Sequence, residues 1–479
     1  MTATGRVAVI GAGPGGLVAA RWLRSQGFTT TIFEQGDEIG GQWTGRPGRS
    51  GVWPAMHTNT SRVLTAFGDL DPGPGATFPS NHEVLGYLHR YADQFDLPAI
   101  TRLGTRVRRV RRTDGGWLVA TDSGVETFER VVVATGRFQT PVLPAVAGLD
   151  TFTGSVGAHS SYDFRDPARY RGKRVLVAGG AISALEITAE LVFAGADRVV
   201  LTQRRQRYVL PKLAGGVPTD HRVFTRYGAL AAERLPADEI DRQLKEIVLE
   251  AAGEPQQYGA PAPHPSLSVA GVTLSQHYLP LVAEGRIVVR PWLTAVAGDR
   301  VTFADGRSEQ FDGIVFGTGF RVAMPFLDET MHRVLDRHTF HPELPGLAFV
   351  GMWDQSGGYF VPLELQARWI AYAWAGLVEP PVVTPERPPG EPQKTRMNLV
   401  AVTFARAAGV EPTLSHWPGL HRALLFGPLA PSCFRLEGPD AAPDATQRFA
   451  RDAAAFGAIT SNTMTERETA YWRLLGSDT

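Results

Sequence analysis

Two glycine-rich turns, each set between a β-branched strand and a helix-forming run, predict an α/β chain. The expected architecture is two nested Rossmann-like dinucleotide-binding domains with a small, mostly helical C-terminal extension. The first turn lies in "VAVIGAGPGGLVAARWL", residues 7–23, and the second in "VLVAGGAISALEITAEL", residues 176–192. A third observation completes the pattern. Two exits, Ala134-Thr135-Gly136 and Gly317-Thr318-Gly319, each close an apolar strand.

In the first unit Val7, Val9 and Ile10 make a short buried strand, and a helix follows from Leu17. Gly11 allows the tight turn, Gly13 lets the backbone approach a pyrophosphate, and Gly16 lets helix and strand pack closely. Pro14 and Gly15 lie at the helix start, where unpaired N–H groups favour phosphate. The second strand, Thr29 to Phe33, runs into Glu34, 23 positions after Gly11, followed by Gln35. A carboxylate there accepts hydrogen bonds from an adenosine ribose. In "EQGDEIGGQW", Gly40-Gly41 brings bare backbone near a ligand, with Gln42 beside it. Trp43 suits either a place against a flat ring or a place in the core.

The second unit departs from the first. Gly179 makes the same turn, but Ala181 adds a methyl group where Gly13 leaves backbone bare. Gly180 restores some freedom, Ile182 and Ser183 open the helix, and Ala184 remains small. The position of the ribose acid is Thr202, followed by Gln203-Arg204-Arg205-Gln206-Arg207. A carboxylate would repel a 2′-phosphate, whereas Arg204, Arg205 and Arg207 would hold it through charge-assisted forks. The plainer alternative is a basic surface loop. The expectation is NADPH rather than NADH.

Composition narrows the class. Lys plus Arg equals Asp plus Glu at 48 each, so no bulk field draws nucleic acid or anionic lipid. The single cysteine, Cys433, excludes an intrachain disulfide framework and a Cys-x-x-Cys redox pair. No apolar run reaches the length of a membrane helix, and no ligand spacing marks a metal site. The expected setting is cytoplasmic, without membrane or nucleic-acid partners; the oligomeric state is not set by these features.

The expected organisation is a discontinuous first domain, residues 1–168 and 313–378, with the second domain, 169–312, inserted. Within the insert, Tyr208 to Pro280 reads as a long irregular excursion placed to shape a substrate channel. A strand near Leu347–Val350, a glycine-rich loop and a helix from about Pro362 return to the first domain, with Glu364 suited to the helix dipole. Residues 379–393 read as a linker and 394–479 as the helical extension.

The segment "VVVATGRFQTPVLP", residues 131–144, taken with the first turn, resembles flavoproteins with two dinucleotide domains, in which it passes from the FAD domain to the NADPH domain. Further elements narrow the likeness. Residues 5–376 resemble the flavin-containing monooxygenases, class B flavoproteins that also include Baeyer-Villiger monooxygenases. In that family Phe-x-Gly-x-x-x-His precedes an aromatic four residues on, which is Trp in Baeyer-Villiger members. Here Phe152, Gly154 and Tyr162 match, but Ala158 stands in the histidine slot and histidine falls at 159. Tyr162 favours the heteroatom-oxidising branch, and His159 is either a displaced family residue or an ordinary polar one.

The loop "GVWPAMHTNTSRVLTAFGDLDP", residues 51–72, resembles the family's flavin-side loop, which implies that Asn59 lies by the oxygen-reactive edge of FAD, with Thr58 beside it. A competing role for Asn59 is the N-cap of a helix expected from Ser61. The resemblance also implies cofactor contacts at Thr135, Gly136, Thr318, Gly319 and Gln366, in addition to the residues above. It implies an NADPH-dependent enzyme that places one atom of molecular oxygen on a soft nitrogen or sulfur of a small molecule through a flavin hydroperoxide. The alternatives are Baeyer-Villiger oxidation of a ketone, a non-thiol NADPH-dependent flavin reductase, or a non-catalytic flavin or nucleotide sensor.

Overall fold

Residues Val7, Ala8 and Val9 are fully inaccessible, and they form the centre of a five-stranded parallel sheet. Its order is Leu347–Phe349, Arg130–Val133, Arg6–Ile10, Thr29–Phe33, Thr101–Arg102. A second five-stranded parallel sheet runs Ile287–Arg290, Arg198–Thr202, Arg174–Ala178, Gly313–Phe316, Gly157–Ser160. In each sheet the first strand of the unit is central and its two neighbours lie on opposite sides, which puts a switch point at its carboxyl end. Both glycine turns start there. The computed structural model describes residues 5–332, 335–379 and 395–476. Apart from Glu379, the expected linker lies outside the described residues.

The predicted α/β architecture of two nested units is what the chain adopts, but the sequence-based boundaries cut through the second sheet. Gly157–Ser160 and Gly313–Phe316 are two of its strands, paired Gly313↔Gly157 and Val175↔Gly313. These short segments carry no local sign of which sheet they join; backbone pairing decides it. The chain crosses between sheets at 134–144 and 317–321 instead, and there Thr140–Pro141 pairs antiparallel with Phe320–Arg321.

The excursion expected to be irregular contains helices Arg226–Arg234 and Ala237–Ala252. Thr225 caps the first through its side chain. The second starts with Asp238 and Glu239 in its first turn, as the helix dipole favours, and stops at Gly253 with φ 72°. Its Ile240, Leu244, Ile247 and Val248 recur at helical spacing between its charges, so this helix was within reach of the sequence.

The C-terminal region is mostly helical, as predicted, yet it is not a separate appendage. Helix Met397–Ala407 packs on helix Phe360–Ala375 and on helix Arg226–Arg234. Its Val400, Ala401 and Phe404 share one apolar core with Val7, Leu17 and Trp369. Buried arginines bind it further: Arg368 pairs with Asp440 at 2.6 Å and Arg226 with Glu411 at 2.8 Å. Among the described residues, no helix is long and apolar enough to cross a membrane.

Candidate active site

The first turn is shaped by steric necessity at two of its glycines. Gly11 has φ +108°, and a Cβ there would lie 2.6 Å from the Ala134 carbonyl oxygen. A Cβ on Gly16 would lie 1.8 Å from the Gly11 oxygen. Gly13 differs. Its backbone is extended, φ −78° and ψ −177°, and a Cβ would make only ordinary contact with the Gly41 Cα at 3.5 Å. The fold alone does not require glycine at 13.

Helix Pro14–Ser25 begins at Gly13 with no capping side chain, unlike helix Asn81–Gln94, which Ser80 and Glu83 close with a capping box. The N–H groups of Gly15 and Gly16 are therefore unclaimed by a side chain, as a phosphate site requires. Glu34 is drawn to this turn. Its Oε2 accepts from the Ala12 N–H at 2.8 Å and its Oε1 from the Gly36 N–H at 2.7 Å. Gln35 is exposed, and Gly41, Gln42 and Trp43 form a helical turn over Gly13, with Trp43 packed on the core. This arrangement fits FAD.

The second turn repeats the geometry with different residues. Ala181 stands at the helix start with φ −118° and ψ 178°, an extended conformation open to any residue, again without a capping side chain. The N–H groups of Ile182 and Ser183 follow it. The glycine needed sterically is Gly179, with φ +144° and a Cβ that would lie 2.6 Å from the Gly317 backbone oxygen; a Cβ on Gly180 would press on the end of the Gln203 side chain at 2.9 Å. Thr202 donates to the Pro291 carbonyl at 2.6 Å. The arginines diverge: Arg204 is exposed with its guanidinium 4.8 Å from the Trp292 ring centre, and Arg205 is exposed and donates to the Val269 carbonyl at 3.0 Å. Arg207 turns inward against Gly271, and burial holds its pKa below the ordinary arginine range. Two of the three therefore face outward at the strand end.

At the crossovers, Thr135 Oγ1 and the Gly136 carbonyl both accept from Gln139 Nε2, at 3.1 and 2.6 Å. Thr318 donates to the Val142 carbonyl, and Gly319 has φ +91°. Gln366 is fully buried with its amide engaged within the protein: Oε1 accepts from the Gly351 N–H at 3.0 Å, and Nε2 donates to Thr339 Oγ1 at 2.7 Å. It fixes the loop after Leu347–Phe349. Glu364 is buried too, and its Oε2 accepts from the Gly68 N–H at 2.6 Å. Burial and the neighbouring Asp69 push its pKa up to about 7, against the pull of Arg368.

Residues 61–70 contain no helix, so the helix-cap alternative for Asn59 does not hold. Among the described residues no side-chain hydrogen bond holds Asn59, and its Oδ1 is buried without a partner. Its neighbours are the opposite. Thr58 Oγ1 donates to the Thr60 carbonyl at 2.8 Å, and Thr60 and Thr65 hydroxyls bond at 2.9 Å. Gly358 lies against Thr60, where a Cβ would approach to 3.0 Å. Gly154 leaves room for Phe152 and the Asp312 carbonyl, which a Cβ would meet at 2.4 and 2.6 Å. Tyr162 donates to the Phe138 carbonyl at 2.6 Å, and His159 turns back on the Val156 carbonyl within the second sheet. Trp292, beside Arg204, and Lys212, Asp220 and His221, behind the Asn59 loop, belong to no motif; only folding brings them there.

Two glycine turns on two parallel sheets, joined by paired crossovers, define a protein built to hold two dinucleotides. Comparison with known proteins places the chain in the flavin-binding monooxygenase-like family, whose model matches residues 4–385. The chain is 28% identical over 482 residues to the N-oxide-forming dimethylaniline monooxygenase 2 of Oryctolagus cuniculus, covering 91% of this chain and 89% of that protein. It is 30% identical over 405 residues to the Rattus norvegicus protein of the same name, covering 79% and 75%. In fold it is similar to the S-allyl-L-cysteine S-oxygenase of Allium sativum, with TM-score 0.58, 22% identity, and 98% and 92% coverage. It is likewise similar to the cyclohexanone monooxygenase of Rhodococcus sp. Phi1 bound to NADP+, with TM-score 0.58, 20% identity, and 79% and 86% coverage. The protein is a flavin-dependent monooxygenase that uses FAD and NADPH.

Proposed function

We propose that this enzyme transfers one oxygen atom from O2 to a soft nucleophilic nitrogen or sulfur of a small molecule. The observation that carries the reading is Asn59: an amide with a buried, partnerless oxygen, set between Thr58 and Thr60, whose hydroxyls are both bonded within the protein. Bound FAD, reduced by NADPH, supplies the activated oxygen. The relatives named N-oxide-forming and the S-oxygenase neighbour support a heteroatom substrate, as does Tyr162 in the fingerprint.

The chain's own residues then have distinct tasks. Gly13, Pro14, Gly15 and Gly16 present the first helix start to one pyrophosphate, and Glu34 has lone pairs left for ribose hydroxyls after accepting two N–H groups. Gly179, Ala181, Ile182 and Ser183 present the second helix start, and Arg204 and Arg205 supply charge for the 2′-phosphate. With FAD bound, Asn59 would present an amide to its oxygen-reactive edge, the nitrogen able to donate and the partnerless oxygen able to accept. Thr58, Gly41, Gln42, Trp43, Thr135, Gly136, Thr318 and Gly319 line the two cofactor paths.

The test is to supply the FAD-loaded enzyme with NADPH, oxygen and panels of amines, thioethers and ketones. Products gaining one oxygen, and the hydrogen peroxide released, are then quantified. Amine or thioether oxidation coupled to NADPH use supports the reading. Oxidation of ketones alone overturns it.

A further inference from the structure

We infer that Lys212, Asp220 and His221 are positioning residues for Asn59, a clamp by which the second-domain excursion holds the flavin-side loop in place. The inference rests on the role proposed for Asn59. The clamp is continuous in space although its parts lie about 150 positions apart in sequence. Asp220 Oδ2 accepts from the Ser61 N–H at 2.6 Å, and Ser61 Oγ bonds His221 Nε2 at 2.9 Å. Lys212 Nζ donates to the Thr58 carbonyl at 3.4 Å and pairs with Glu186 at 3.2 Å. Residues on both sides of Asn59 are thus tied to one short stretch of the excursion, and Asn59 itself is left free to face a ligand.

Burial makes these contacts consequential. Ser61, His221 and Asp220 are 0%, 1% and 2% exposed. Burial pulls the His221 pKa down to about 4, so the ring is neutral and its Nε2 either donates to or accepts from the serine. The C-terminal extension backs the clamp. Phe456 adopts φ +58°, a conformation rare for a residue with a side chain, and sets its ring edge-on to His221 at 5.4 Å. Arg62, next to Ser61, places its guanidinium 4.9 Å from the same ring.

The serine, histidine and aspartate do not form a hydrolytic triad. That arrangement needs the aspartate to accept from His Nδ1, with the serine reachable by substrate. Here His221 Nδ1 has no partner, Asp220 binds the serine backbone, and Ser61 is sealed. The geometry holds a loop.

The experiment uses FAD-loaded full-length enzyme and the variants His221→Ala, His221→Gln, Ser61→Ala and the Ser61→Ala/His221→Ala pair. Two quantities are read: amide hydrogen exchange of the segment 58–65, and the ratio of oxygenated product to hydrogen peroxide. Each alanine variant should speed exchange in 58–65 and lower the ratio about 2- to 13-fold, the equivalent of one ordinary hydrogen bond. Flavin content should be unchanged. The double variant should be no worse than the more affected single one, and His221→Gln, which keeps a donor near the Nε2 position, should restore most of the ratio. Unchanged exchange and ratio in folded Ser61→Ala, or additive losses in the pair, would overturn the clamp. Ser61→Ala removes a single atom and decides the matter even where His221→Ala does not fold. Asn59→Leu run alongside separates the two ideas: if it leaves the ratio unchanged, the role of Asn59 fails, while exchange at 58–65 still judges the clamp.

Discussion

Gly317 and Ala184 meet across the second nucleotide turn so closely that a Cβ on Gly317 would lie 2.9 Å from the N, Cα and Cβ of Ala184. In the first turn the corresponding positions are Ala134 and Gly16, so the small residue has changed sides. In the first unit the steric demand falls elsewhere: a Cβ on Gly16 would meet the Gly11 oxygen at 1.8 Å rather than the exit strand. Gly317→Ala should destabilise the protein by about 1–3 kcal/mol, as overpacking does. Adding Ala184→Gly should recover part of that loss, less the roughly 1 kcal/mol helix cost of glycine. Denaturant unfolding of the two singles and the pair checks this.

Gly13 and Gly16 should separate ligand binding from folding. Gly16→Ala places a methyl 1.8 Å from the Gly11 oxygen, so the expected outcome is loss of folded protein. Gly13→Ala places its methyl only in ordinary contact with the Gly41 backbone, so the apoprotein should melt near the wild-type temperature but retain little FAD. Flavin absorbance per protein, with apoprotein melting, distinguishes them. A Gly13→Ala enzyme with full flavin content would show that the pyrophosphate lies elsewhere.

The arginines should divide by where they point. Neutralising Arg204 or Arg205 removes a charge-assisted contact worth about 1.5–3 kcal/mol, raising the NADPH KM by about 10- to 150-fold with little change for NADH. Arg207, turned inward against Gly271, should affect stability instead. Paired NADPH and NADH kinetics on the three single variants provide the measurement, and equal effects on both cofactors in all three would refute the phosphate role.

Replacing Asn59 with leucine should leave flavin reduction by NADPH largely intact and shift oxygen use from product to hydrogen peroxide. Loss of one preorganised donor from a dry site costs about 2.7–4 kcal/mol. No helix starts at Ser61, so thermal stability should not show the loss of a cap. The product-to-peroxide ratio, measured with oxygen uptake, reports the outcome.

Glu364 should give stability a pH dependence of unusual sign. Its folded pKa is raised to about 7 by burial and by Asp69, so the folded state holds a proton that the unfolded state has already released. Stability from this group is therefore greatest at the acidic end and falls as pH rises from the ordinary carboxylate range towards 7, then levels off. Glu364→Gln keeps an acceptor for the Gly68 N–H and should flatten that slope. Asp220, raised by burial to about 7, contributes in the same direction and remains in the variant. Chemical denaturation at several pH values compares the two proteins.

The two nucleotide turns were legible in the sequence because the glycine spacing, the strand before it and the helix after it are local and close in the chain. The same locality marked Glu34 and the arginine run after Thr202. Asn59 came from likeness to a family rather than from periodicity. The residues around it left no such signal: Ser61 and His221 are joined only when two domains pack, and neither sits in a recognisable spacing. Helix Ala237–Ala252 does carry a local signal, Ile240, Leu244, Ile247 and Val248 at helical spacing, whereas the strands Gly157–Ser160 and Gly313–Phe316 were too short to declare their sheet.

By itself, then, the sequence determined the two α/β units, the bare backbone at Gly13, and the replacement of a ribose acid by arginines, since each depends on neighbouring residues. Tertiary structure alone decided which sheet owns the crossover strands, which arginines face outward, that Gln366 is spent on Gly351, and what holds the Asn59 loop. Those outcomes depend on hydrogen bonds and burial between segments outside any one motif, from 15 positions apart for Gln366 and Gly351 to 160 for Ser61 and His221, where no local pattern constrains the partner.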